Sequence, residues 1–142
     1  QLLKNKISKS AIDISDGLLA DIEKICMSAK LDAEIFTQNI PISKSAINFL
    51  KNNQQYPTQN LLISGDDYEL AFSVKSKDLK KILDLSKKLT LNLTCIGQFK
   101  KPQKNNKPQI LFKNSVFYEK IFKSNNIKFD LTKLKNFGYE HN

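Results

Sequence analysis

The chain reads as an α+β protein, a layered α/β/α arrangement with a mixed sheet and partly ferredoxin-like connectivity, and three stretches carry that reading. Residues 11–14 lead through Asp16-Gly17 into apolar positions at helical spacing, residues 68–74 alternate strictly, and residues 76–89 set one apolar side against lysines. With 142 residues, 40% of them hydrophobic, there is material for one core, so 1–142 is expected to be a single domain.

Taken in order, residues 11–14 form a short strand, and Leu18, Leu19, Ile22, Ile25, Cys26 and Ala29 then recur on one side of a helix. Residues 33–36 resemble a strand, and Ser43 can cap a helix whose apolar side is Ala46, Ile47, Phe49 and Leu50. A polar connection from Asn52 to Thr58 leads to Leu61-Leu62-Ile63 and an acidic cluster. Tyr68, Leu70, Phe72 and Val74 then share one strand face, expected to be the core face, with Glu69, Ala71 and Ser73 on the other. Ser76 can cap the next helix, with Leu79, Ile82, Leu83, Ser86 and Leu89 inward. A strand is expected at 93–96, a basic hairpin loop from Lys100 to Pro108, and a further strand at 109–112. Beyond Lys113, aromatics mix with Lys and Asn and give no clear element.

Charge narrows the function. Lys+Arg is 23 against Asp+Glu 14, a net +9, yet every basic residue is lysine, and the lysines are scattered. Without arginine there is no bidentate grip on guanine or phosphate, so the excess reads as a solvated surface and no nucleic-acid partner is expected. No apolar run nears the roughly 18 residues of a membrane span, and the first residues lack the sections of a signal peptide, so a cytoplasmic protein without a membrane partner is expected. Cys26 and Cys95 lie far apart within apolar patterns and read as buried free thiols. The sequence starts without methionine, and a piece of a longer protein is one reading of it.

Against that basic background the carboxylates crowd. Asp13, Asp16, Asp21, Glu23, Asp66, Asp67 and Glu69, half of the 14, fall in two short windows. Carboxylates that repel one another call for a cation, and acidic pairs beside glycine turns suit Mg²⁺ with a phosphorylated ligand. In the first window, Asp13 at a strand end and Asp16 at a helix start, with Gly17 allowing close approach, can face one space above the helix N-terminus. The plainer alternative is that Ser15 or Asp16 caps the helix, which leaves Asp13 without a task. In the second, Gly65 permits a turn before Asp66 and Asp67; the plainer alternative, an Asx-type turn with solvated carboxylates, accounts for one of the two acids and for the glycine.

The strings Ala11-Ile12-Asp13-Ile14-Ser15-Asp16-Gly17-Leu18-Leu19-Ala20-Asp21, Gly65-Asp66-Asp67-Tyr68-Glu69-Leu70, Cys95-Ile96-Gly97 and Gly138-Tyr139-Glu140-His141, in this order, resemble the carboxyl-terminal half of the thiamine-monophosphate kinases. That family is grouped with aminoimidazole-ribonucleotide synthetase, whose second domain is a layered α/β/α structure. The resemblance implies transfer of the γ-phosphoryl group of ATP to thiamine monophosphate, with Mg²⁺ in a cleft between two domains. By position, Asp13 and Asp16 would be Mg²⁺ ligands, Ser15 would contact ATP, and Asp66 and Asn136 would lie at the thiamine substrate. Three positions depart from the family pattern: Ser64 replaces a second glycine, Asn136 beside Phe137 replaces an aromatic, and Asn142 replaces a final phenylalanine. The family's N-terminal domain, with its further Mg²⁺ ligands, most ATP contacts and the homodimer interface, has no counterpart here, so half an active site without turnover is expected. A sister synthetase of the superfamily and a non-catalytic binding module are the competing readings. Product analysis separates the first, and polyanion binding that survives loss of Asp13 and Asp16 marks the second.

Overall fold

The computed structural model describes residues 7–8, 10–102 and 107–113. Among the described residues, five strands, β1 (Ala11–Ile14), β2 (Asp32–Phe36), β3 (Glu69–Phe72), β4 (Gly97–Lys100) and β5 (Ile110–Lys113), are interspersed with helices α1 (Leu18–Ala29), α2 (Lys44–Asn52), α3 (Asn60–Ile63) and α4 (Leu79–Leu89). The fold is α+β with a mixed sheet: β2 is central, antiparallel to β4 and parallel to β5, while β1 and β3 form a separate antiparallel pair.

The core gathers on α1. Leu19, Ile22 and Cys26 from one helical face meet Ala33 and Ile35 of β2, together with Ile40 and Leu62. Leu19 and Leu62 are fully buried, each contributing about 2 kcal/mol by removal from water. Cys26 is buried and free, and desolvation first, then the charge of Asp32, pushes its thiol up to about 11; Cys95 is free and half-buried. Among the described helices none is long and apolar enough to cross a membrane.

Several expectations need correction. The strand expected at 93–96 begins only at Gly97: the register with β2 runs over residues 97–100, and of the expected residues Ile96 reaches β2 through its carbonyl, which accepts the Phe36 N–H at 2.8 Å. The segment 100–108 does not join a hairpin: β4 and β5 lie on opposite sides of β2. Ser43 does cap α2, its Oγ accepting the Ala46 N–H at 3.1 Å, but that helix buries no residue, and Phe49 rests edge-on against Tyr56 at 5.0 Å. Ser76 caps nothing; it opens a 3₁₀ turn, and Asp78 takes the N-cap position of α4. Along α4 only Ile82 is buried. The largest reversal is at β3 and the residue before it: Tyr68 is 90% exposed and Leu70 50% exposed. Pairing with β1 puts Leu70 opposite Asp13 and Ala71 opposite Ile12, so Ala71 packs toward the core and Leu70 shares the outer face with Asp13.

One buried charge cluster braces the central sheet. The Glu34 carboxylate, almost fully buried on β2, accepts hydrogen bonds from Lys100 at 2.7 Å, Lys113 at 2.8 Å and Gln98 at 2.6 Å, uniting all three strands. Lys100 first, then Lys113, hold its pKa down at about 2. A depressed carboxylate pKa stabilises the fold above the ordinary carboxylate range and loses that contribution as pH falls toward 2. Glu34→Gln is therefore expected to cost about 1–2 kcal/mol at pH 7, the half-exposed lysines returning to water, and to flatten the loss of stability between pH 4.5 and 2. Urea midpoints measured across that range check it; parallel profiles for both proteins would refute it.

Candidate functional site

The two acidic windows meet through backbone. The Asp66 N–H donates to the Ser15 carbonyl at 3.0 Å, tying the loop before β3 to the turn after β1. Gly65 makes this approach possible: a Cβ there would stand 2.1 Å from the Ser15 oxygen. Its backbone is not left-handed; the positive φ values fall on Asp66 (66°) and Tyr68 (52°), so the expected glycine turn is a close-contact site instead. Gly17, at φ 110°, sits where a Cβ would meet the Ile63 carbonyl at 2.6 Å, and both requirements exclude larger residues.

The N-cap of α1 is Gly17, with no side-chain cap bond, so neither Ser15 nor Asp16 caps the helix. The turn is held from the other side. Asp21, in the first turn of α1 and fully buried, accepts the N–H groups of Ser15 (2.9 Å) and Asp16 (3.0 Å) on Oδ2. Its Oδ1 accepts from Lys24 Nζ at 2.7 Å, and the same ammonium reaches Asp16 Oδ2 at 2.5 Å. These two carboxylates, Asp16 first, raise the Lys24 pKa and keep it charged. The Ser15 hydroxyl donates to Asp16 Oδ1 at 3.3 Å. Sequence reading assigned no task to Asp21 or Lys24. The available signal was an acid four residues after a helix-opening glycine, within reach of the backbone N–H groups of the turn that precedes the helix.

Of the expected site residues, Asp13, Ser15 and Asp66 are exposed and Asp16 is half-buried. Partial desolvation first, then the charges of Glu69 and Asp66, push Asp67 above the usual carboxylate range although it reaches solvent. Among the described residues no three acidic, histidine or cysteine side chains gather as a metal cage. Asn136, with Phe137 and the tail 138–142, lies outside the described residues.

Similarity to known proteins points one way. No family model matches. Thiamine-monophosphate kinase of Buchnera aphidicola from Acyrthosiphon pisum is 37% identical over 118 residues, 79% of this chain and 36% of that protein. Its counterpart in Haemophilus influenzae is 38% identical over 93 residues, 65% of this chain and 27% of that one. The crystal structure of thiamine-monophosphate kinase from Stenotrophomonas maltophilia superimposes with a TM-score of 0.65 at 28% identity, over 78% of this chain and 33% of that one. The chain belongs to the thiamine-monophosphate kinase family. It spans about a third of the length of these thiamine-monophosphate kinases. A structure of AaThiL complexed with AMPPCP and TMP shares the fold, with a TM-score of 0.60 at 22% identity over 81% of this chain and 34% of that one.

Proposed function

We propose that this chain is the carboxyl-terminal part of a kinase that transfers the γ-phosphoryl group of ATP to thiamine monophosphate, giving thiamine diphosphate. Family membership supports the reaction, and a relative of the same fold has been captured with AMPPCP and TMP. The observation that carries the residue assignment is the Asp66 N–H bond to Ser15, which sets the Asp13–Asp16 segment beside the Asp66 loop. On this reading Asp13 and Asp16 are Mg²⁺ ligands, Ser15 contacts ATP, and Asp66 with Asn136 lies at the thiamine substrate.

The residues suit such an ion. Asp13 and Asp16 offer hard carboxylate oxygens, leaving coordination positions for water and phosphate, and Asp16 already draws a cation onto Oδ2. Bound there, Mg²⁺ would offset the phosphate charge. The attacking phosphate oxygen is ionised at neutral pH, so the chain needs no general base; its task is alignment. On this reading the exposed Ser15 hydroxyl turns from Asp16 Oδ1, 3.3 Å away, to donate to a phosphate oxygen. The N-terminal domain and homodimer of the family complete the proposal, in a cytoplasmic setting.

Asp13→Asn combined with Asp16→Asn is expected to weaken binding of Mg²⁺–AMPPCP at least about tenfold while leaving the fold intact, since both side chains reach solvent. Calorimetric titration alongside circular dichroism checks this. Undiminished binding by the double variant would defeat the assignment, and salt-sensitive polyanion binding in its place would favour a non-catalytic module.

A further inference from the structure

We propose that Lys24 is a built-in counter-ion for Asp16 that a divalent cation displaces, with Asp21 as the positioning residue that retains the ammonium after the exchange. This rests on the assignment of Asp16 as a metal ligand, and its grounds are geometric. Lys24 Nζ lies between two carboxylates of very different freedom. Asp21 is fully buried and committed through Oδ2 to the backbone of Ser15 and Asp16, so it cannot leave. Asp16 is 32% exposed at the side chain and touches the ammonium through Oδ2. The lysine is 50% exposed and one helical turn beyond Asp21, so a rotation of its flexible end can break the Asp16 contact while keeping the Asp21 one.

A divalent ion that shares Asp16 Oδ2 with the ammonium stands close to a second positive charge, at a site only partly screened by solvent. A divalent ion arriving at Asp16 Oδ2 meets the ammonium charge already there, and their repulsion outweighs the modest strength of a half-exposed ion pair. The ammonium therefore gives way. Before that, it screens Asp16 from Asp21 and keeps the turn in the shape that the ion requires, so the segment does not open under its own negative charge. Binding becomes an exchange of cations on a preset backbone.

The test uses Mn²⁺ as probe, with free ion followed by electron paramagnetic resonance, on the full chain. Lys24→Met is expected to bind Mn²⁺ about 3- to 10-fold tighter, because the competitor is gone. Lys88→Met, in the last turn of α4, changes affinity less than about 1.5-fold, since a remote exposed charge is screened. Asp16→Asn binds about tenfold weaker. In a diamagnetic titration with Mg²⁺, the Lys24 side-chain ¹⁵N resonance moves in the wild type and stays in Asp16→Asn, a response that a merely structural bridge does not give. If Lys24→Met binds no tighter than Lys88→Met, or more weakly than the wild type, while Asp16→Asn weakens binding, the exchange is wrong and the metal assignment stands. If Asp16→Asn leaves Mn²⁺ affinity unchanged, both are overturned.

Discussion

Replacing Asp21 by alanine is expected to lower stability by about 3 kcal/mol and melting by roughly 10 °C, the largest effect of any single carboxylate among the described residues. The side chain is fully buried and serves three donors: the N–H groups of Ser15 and Asp16 on one oxygen and Lys24 on the other. Alanine leaves two backbone donors in a turn too tight to rebuild, and a hydrogen bond to an ionised acceptor is worth about 1.5–3 kcal/mol. Asp21→Asn retains one acceptor oxygen but presents an amide to either the backbone pair or the ammonium, so an intermediate loss is expected. Thermal and urea unfolding followed by circular dichroism measure both, and a loss below about 0.5 kcal/mol for alanine would contradict the proposed hold on the turn. Because Oδ2 of Asp21 fixes the backbone at Ser15 and Asp16, the alanine variant is also expected to lose divalent-ion affinity without touching a ligand.

Gly65→Ala is expected to cost a comparable amount, about 2–4 kcal/mol. The added methyl would sit 2.1 Å from the Ser15 carbonyl oxygen and 3.2 Å from its carbon, atoms of a backbone that α1 and β1 hold on both sides. Gly65 does not occupy the left-handed region, so alanine meets no conformational penalty of its own and the whole cost is steric. Relief requires the two loops to part, which breaks the Asp66 N–H bond to Ser15. Hydrogen exchange at the Asp66 amide is therefore expected to quicken together with the fall in stability. A stable variant with that amide still protected would show that the loops tolerate wider spacing.

The parts of the fold that were legible in the sequence are those where a local pattern suffices. Leu19, Ile22 and Cys26 at helical spacing bring one face of α1 into the core, and Ala33 with Ile35 marks the inner face of β2. Ser43 caps its helix because capping needs only a hydroxyl three residues from an N–H. Expectations failed where a partner decides. Tyr68, Leu70 and Phe72 alternate as a core face would, yet Tyr68 precedes β3 and the register of β3 against β1 sends Leu70 outward beside Asp13. The strand sought at 93–96 was displaced because β2 pairs with residues 97–100. In the candidate site, the acidic windows stood out against a lysine-rich surface, whereas the roles of Asp21 and Lys24 depend on contacts that spacing alone does not rank.

The sequence by itself determined membership in the thiamine-monophosphate kinases, the helices and strands with one strong local period, and the identity of the carboxylates available for chemistry. Only the tertiary structure decided which of them does structural work. It commits Asp21 to the backbone and Lys24 to Asp16, and it makes Gly65 a contact point rather than a turn. The physical reason is that side-chain type and period are written locally, while burial, register and close approach exist only when distant segments occupy the same space. The carbonyl of Ser15 meeting the amide of Asp66, across fifty residues of chain, is such a meeting.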